Sequence, residues 1–143
     1  MNKFSIRIIP DKLKLYKCSR EEYKNIISKY NLYNIDDVLS KTFLEDEITI
    51  YYLIKNTTEN HYNHHILSKI CVTDPRPYTI INIYEDIPGI DHVGIIHKIS
   101  SLFLENNIPI LYINTYGHNI ILVADEYIDK AIHNLKKIGN FDL

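Results

Sequence analysis

The 143 residues carry 16 basic and 18 acidic side chains, a formal charge of −2, with 45% hydrophobic and 24% charged residues. That length suits one compact domain or two small subdomains sharing a core. The balanced, interspersed charge excludes the basic footprint of a nucleic-acid binder, and no run reaches the roughly 18 apolar residues of a membrane span.

The N-terminus, MNKFSIRIIPDKLK, has no apolar signal-type region. Cys18 and Cys71 show neither metal spacing nor a disulfide framework, so a reduced, cytoplasmic setting is expected. Ile, Asn, Lys and Tyr are abundant, as when AT-rich codons dominate a gene. An Asn or Tyr therefore weighs less in a motif than a Gly, Pro, Asp or His.

In chain order, FSIRII (4–9) and LKLYKC (13–18) are short β-type runs, with Pro10-Asp11-Lys12 predicting a turn between them. Ser19 followed by Glu22 predicts a capping box, and Tyr23, Ile26, Ile27 and Tyr30 carry the helix after it. VLSKTFL and EITIYYLI flank Glu45-Asp46-Glu47, the pattern of a hairpin. Residues 55–65, KNTTENHYNHH, are polar and predict a surface loop. Asp74-Pro75-Arg76-Pro77 argues against helix and marks a boundary: 1–74 as a first subdomain, 75–143 as a second.

The second half begins with YTIINIY (78–84), a near-continuous apolar strand. Pro88-Gly89 then signals a turn, Asp91 is a good N-cap, and Val93, Ile96, Ile99, Leu102 and Phe103 share one helix face. Asn106-Asn107 ends that helix. IPILYINTY (108–116) and HNIILV (118–123) flank Gly117 as a tight hairpin. Asp125 is expected to cap a last helix carrying Ile128, Ala131, Ile132 and Leu135 inward. LYINTY has apolar or aromatic residues on both faces, as a central strand or one at a dimer interface would. The halves read as two passes of one plan, giving an α+β fold of two ferredoxin-like βαββαβ subdomains packed as α/β sandwiches.

Gly89, Gly94 and Gly117 are three of only four glycines, so each is expected where the backbone needs freedom or close approach. A glycine turn opening a helix can hold a small anion or zwitterion. Asp91 is a plain cap or a partner for a ligand ammonium; His92 lacks an orienting partner for general-base work. Glu85, Asp86 and Asp91 read as a solvated rim rather than a catalytic carboxylate pair. His61, His64 and His65 lack a second ligand pair at a metal spacing. No G-x-S-x-G, H-E-x-x-H, P-loop or C-x-x-C occurs, so no catalytic residue, metal or cofactor is assigned and an enzyme is not expected.

Asn107-Ile108-Pro109-Ile110, Asn114-Thr115-Tyr116, Gly117-His118, Asn119-Ile120 and Ile121-Leu122-Val123, followed by Asp125-Glu126 and a helix, carry a resemblance. This stretch resembles the tandem ACT-domain family that includes the cytosolic arginine sensors called CASTOR and their short bacterial relatives. Motif-level likeness runs from about 86 to 126; FSIRIIPDKLKLYKC and ITIYYL resemble the family's first unit more loosely. The resemblance implies a non-enzymatic, ACT-like module that binds a small amino-acid-like ligand and regulates a protein partner. Ligand contacts would come from Ile87, Pro88, Gly89, Ile90 and Asp91 on the turn, and from Pro109, Ile110, Thr115, Tyr116, His118 and Asn119 on the hairpin.

Matching one half of such a protein, the chain would need a homodimer to rebuild that interface. Pro109 stands for the family's serine, without a hydroxyl or backbone donor. Asn119 stands for its aspartate, without the charge that would face a cation. These departures point away from arginine, toward a neutral or acidic amino acid or no ligand. The alternative is a ligand-free ACT-like interaction module. A small enzyme or nucleotide-binding domain would need a catalytic cluster or a basic stacking surface, and the sequence offers neither.

Overall fold

The computed structural model describes residues 4–30, 37–84, 95–115 and 117–141. The first half holds strand β1 (Phe4–Ser19), helix α1 (Arg20–Tyr30), strands β2 (Val38–Phe43) and β3 (Glu47–Ile54), helix α2 (Thr58–Ile70) and strand β4 (Val72–Thr73). The second holds strand β5 (Tyr78–Tyr84), helix α3 (Ile95–Glu105), strands β6 (Leu111–Asn114) and β7 (Asn119–Ala124), helix α4 (Ile128–Leu135) and strand β8 (Gly139–Phe141). Two compact units result: Asp11–Pro77, and Met1–Pro10 with Tyr78–Leu143. The N-terminal ten residues thus group with the second half of the sequence.

β1 runs unbroken through Pro10-Asp11-Lys12, where the sequence predicts a turn. The ladder to β3 begins at Lys12↔Ile54, so the missing Pro10 N–H interrupts nothing in that pairing. Proline's fixed φ also suits an extended chain.

The Asp11–Pro77 unit is a complete βαββαβ plan with strand order β2-β3-β1-β4. The predicted capping box closes both ways. Glu22 N–H donates to Ser19 Oγ at 3.0 Å, and Ser19 N–H donates to Glu22 Oε1 at 2.8 Å. That bonding holds the Glu22 carboxyl below its usual pKa. The hairpin also forms as expected, with Phe43↔Ile48 the last register pair and Leu44 N–H donating to Glu47 O. Tyr16 and Cys18 from β1, with Ile48, Ile50 and Tyr52 from β3, alternate onto one sheet face. Ile26 of α1 and Ile66 and Leu67 of α2 pack against them.

Of the predicted loop at 55–65, residues 58–65 are instead the start of α2, capped by Thr57, whose Oγ1 accepts from Asn60 N–H at 3.1 Å. Hydropathy counts Asn60 and Asn63 as surface residues, yet both are buried. Asn60 spends its whole carboxamide: Nδ2 donates to Asp37 Oδ2 (2.9 Å) and Leu53 O (2.8 Å), and Oδ1 accepts from Lys55 N–H (2.9 Å). A buried amide that satisfied is a core residue despite its polarity. On the same helix the Tyr16 hydroxyl meets His64 Nδ1 and Ser68 Oγ. Burial, then the positive charge of Lys14, His61 and His65, keeps the His64 pKa low. Cys18 and Cys71 are free and buried, and burial pushes both thiols up.

The other unit contains β5, α3, β6, β7, α4 and β8, again βαββαβ, with the first part of β1 added: order β6-β7-β5-β1, and β8 parallel to β1. Phe4 and Ile6 of β1, Ile81 and Ile83 of β5, and Ile121 and Val123 of β7 face Ile99 and Phe103 of α3 and Ala131 and Leu135 of α4. Ile96, assigned inward from the sequence, is 48% exposed, because α3 turns Ile99, Leu102 and Phe103 to the sheet instead. Asn107 ends α3 as expected, at φ 55°, with Ile108 N–H returning to Phe103 O. Asp125 does not cap α4, whose N-cap is Tyr127 without a side-chain bond. A 3-10 turn at Asp125–Tyr127 intervenes, and Asp125 Oδ1 accepts from Thr79 Oγ1 at 2.6 Å.

Candidate functional site

Of the residues assigned to ligand contact from the sequence, Ile87, Pro88, Gly89, Ile90, Asp91 and Tyr116 lie outside the described residues, as do Gly94 and His92. The hairpin side is described. β6 and β7 pair from Leu111↔Leu122 to Asn114↔Asn119, and Thr115 N–H donates to His118 O at 3.0 Å to close the turn. Thr115, His118 and Pro109 are exposed, and Ile110 is half-buried against the helix-side core. Asn119 is buried, its Oδ1 accepting from the Tyr112 hydroxyl at 2.9 Å.

Gly117 was expected to answer a backbone need. The structure shows none: its φ is outside the left-handed region, and a Cβ there would meet nothing within 4 Å. Gly117→Ala is therefore expected to leave the melting temperature unchanged, within the roughly 0.5 kcal/mol of an ordinary surface substitution. Calorimetry showing a loss above about 1 kcal/mol would contradict this reading of the turn.

The sequence reading missed three side chains around His118. β5 turns Ile81 and Ile83 to the helices, so Asn82 and Tyr84 occupy the opposite sheet face. Tyr84 and His118 stack edge-on with ring centroids 5.0 Å apart, and Asn82 Nδ2 lies 3.3 Å from His118 Nδ1. Arg7, on the same face of the neighbouring β1, places its guanidinium 5.8 Å from the Tyr84 ring centre. Asn82 was visible in YTIINIY as a polar interruption of an apolar strand, but the abundance of asparagine in this chain argued for discounting it.

β6 lies at the end of the strand order, so the central placement that LYINTY allowed does not hold. It is an edge strand with Leu111 37% exposed. Among the described residues no group of three or more side chains is arranged to hold a metal ion, and no helix is long and apolar enough to cross a membrane.

A search of curated proteins finds no match. Solved structures share the fold at low identity. A protein from Agrobacterium tumefaciens has a TM-score of 0.67 at 18% identity, with 99% of this chain and 95% of that one covered. The ligand-free regulatory subunit of aspartate kinase from Thermus thermophilus gives 0.63 at 8% identity, over 94% of this chain and 97% of that one. Aspartokinase III from E. coli, solved with aspartate and ADP, gives 0.62 at 12% identity, over 94% of this chain but 32% of that one. The fold is thus the ACT-like, ferredoxin-type arrangement, and residues 76–137 match the family model described as the ACT domain.

Proposed function

We propose that this chain is a non-catalytic regulatory module that binds a small amino acid and passes its occupancy to a partner protein. The observation that carries this reading is the ACT-domain match at 76–137 in a chain that spans nearly the whole of a separate aspartate kinase regulatory subunit. The same chain spans 32% of the E. coli aspartokinase III chain. CASTOR-like sensing is the finer form of this proposal. In it, the turn at 87–91 and the hairpin residues Pro109, Ile110, Thr115, Tyr116, His118 and Asn119 hold the ligand.

Thermal unfolding against a panel of amino acids tests the proposal. A ligand at 100 times its dissociation constant adds roughly 2.7 kcal/mol, and a flat response to every amino acid would remove the sensing claim. A homodimer belongs to the same reading: β6 is an edge strand with exposed Leu111, a template for pairing with a second copy. Sedimentation giving a strict monomer at high concentration, with and without ligand, counts against it. Two free thiols fit a reducing, cytoplasmic setting.

A second reading is an interaction module without a ligand. Asn119 favours it, since the oxygen that would meet a ligand already accepts from Tyr112, and so does Pro109, which offers no donor. Capture of a partner whose binding ignores free amino acids would select this reading.

A further inference from the structure

We propose that Cys18 and Cys71 are a redox modification site, joined by hydrogen peroxide in a reversible disulfide that staples β4 and the end of α2 to β1. The site does not depend on the regulatory reading.

Strand pairing carries the argument. In the antiparallel pairing of β1 with β4, Tyr16 stands opposite Thr73 and Lys17 opposite Val72. One step further in the same register, Cys18 faces Cys71. Cys71 closes α2, but its backbone is already extended, at φ −91° and ψ 155°, so it continues the line of β4. The phase of the ladder favours the pair as well. Asp74 N–H donates to Leu15 O across the strands, which makes 15 and 74 a hydrogen-bonded pair. Alternation then makes Cys18 and Cys71 a non-hydrogen-bonded pair, and Cys71 N–H turns back to Leu67 O instead. Cα atoms in such pairs lie about 4.5 Å apart, within the roughly 4.4–6.8 Å that a disulfide spans. Both side chains enter the same buried cluster, and the two thiols already hydrogen-bond each other.

Burial raises both thiols, while the bond from Cys71 lowers Cys18, so Cys18 ionises first and attacks. Its sulfur takes one peroxide oxygen. The O–O bond breaks, and the other oxygen leaves as water with the Cys18 proton. Cys18 is then a sulfenic acid. The Cys71 sulfur attacks it, the S–O bond breaks, and the hydroxyl leaves as a second water with the Cys71 proton. The two thiols lose two electrons and peroxide gains them. Access comes through β4, a two-residue outer strand of its unit with Val72 70% exposed. A strand that short opens locally more readily than the core ladder. The new bond closes a loop of about 50 residues and so removes entropy from the unfolded chain.

The test exposes the reduced whole chain, freed of reductant, to hydrogen peroxide under native conditions. Intact mass, peptide mapping and thermal unfolding follow it. A loss of about 2 Da is expected, with one peptide pair linking Cys18 to Cys71. The melting temperature is expected to rise by roughly 5–10 °C, and dithiothreitol should reverse every change. The oxidation rate should hardly change in urea below the unfolding transition, because only β4 has to open. Cys71→Ala is expected to stop at the sulfenic acid, a gain of about 16 Da that dimedone traps.

The parent chain decides the proposal without any variant. Thiols that stay reduced, or that oxidise further without linking, overturn it. A link that forms only in step with global unfolding overturns it too, as does a linked protein that melts below the reduced one. A folded Cys71→Ala chain left unmodified overturns the assignment of Cys18 as the attacking sulfur.

Discussion

Gly139→Ala is expected to cost about 3 kcal/mol or more and to lower the melting temperature by roughly 10 °C for a chain of this size. Gly139 sits opposite Phe4 in the parallel pairing of β8 with β1, and Phe4 N–H donates to Ile138 O. A Cβ at 139 would lie 2.3 Å from the Phe4 carbonyl oxygen and 2.9 Å from Ile6 Cδ1. The isoleucine methyl can rotate away, but the carbonyl is part of the backbone and cannot. Relief requires β8 to separate from β1, loosening Ile138 and Phe141 from a core that includes Phe4 and Ile6. Urea or thermal unfolding of Gly139→Ala beside Gly117→Ala measures the contrast. A Gly139→Ala variant within about 1 kcal/mol of the parent would show that the strand pair yields.

The two glycines also mark what local sequence can reveal. Gly117 stands in a turn signal and attracts a conformational explanation, yet its surroundings are open. Gly139 stands in no motif, because its constraint comes from a strand more than 130 positions earlier in the chain. Local signals read well wherever both partners were neighbours. The Ser19–Glu22 box, the turn of the β2–β3 hairpin and the Asn107 helix end all rest on contacts within a few residues.

Signals failed where tertiary contacts reversed the meaning of a residue. Pro10 suggested a turn, but lies ahead of the ladder it would have broken. Asn60 and Asn63 suggested a wet loop, but Asp37, Leu53 and Lys55 make a polar socket that buries Asn60. Asn82, Tyr84 and Arg7 come from two strands whose adjacency no spacing in the sequence announces. The hairpin half of the assigned ligand site was legible as a hairpin. That Asn119 turns inward to Tyr112 depends on strand phase relative to the helices, and hydropathy leaves that phase open.

The Asn60 socket yields the other large effect. Asn60→Asp is nearly isosteric, but it replaces two donated hydrogen bonds with lone pairs aimed at the Leu53 carbonyl and the Asp37 carboxylate. The position is fully buried, so the new charge has no solvent to relieve it. A loss of about 4 kcal/mol at pH 7 is expected, in the range for an uncompensated buried charge. The pH dependence separates this cause from poor packing. In the parent, the Asn60 hydrogen bond, ahead of the Lys55 contact, holds the Asp37 pKa below its usual value. A depressed folded pKa gives stability that is full above the unfolded value of about 3.9 and fades as pH falls through the folded pKa. In Asn60→Asp two carboxyls share one site, so one folded pKa rises above its unfolded value, and protonation stabilises the variant as pH falls. The gap between variant and parent should therefore narrow from pH 7 to pH 5, whereas Asn60→Leu, which strands the Lys55 N–H and Leu53 O without adding charge, should show a gap that hardly moves. Denaturant unfolding of the three proteins at both pH values decides the matter, and a gap for Asn60→Asp that widens on acidification would rule out the shared-proton account.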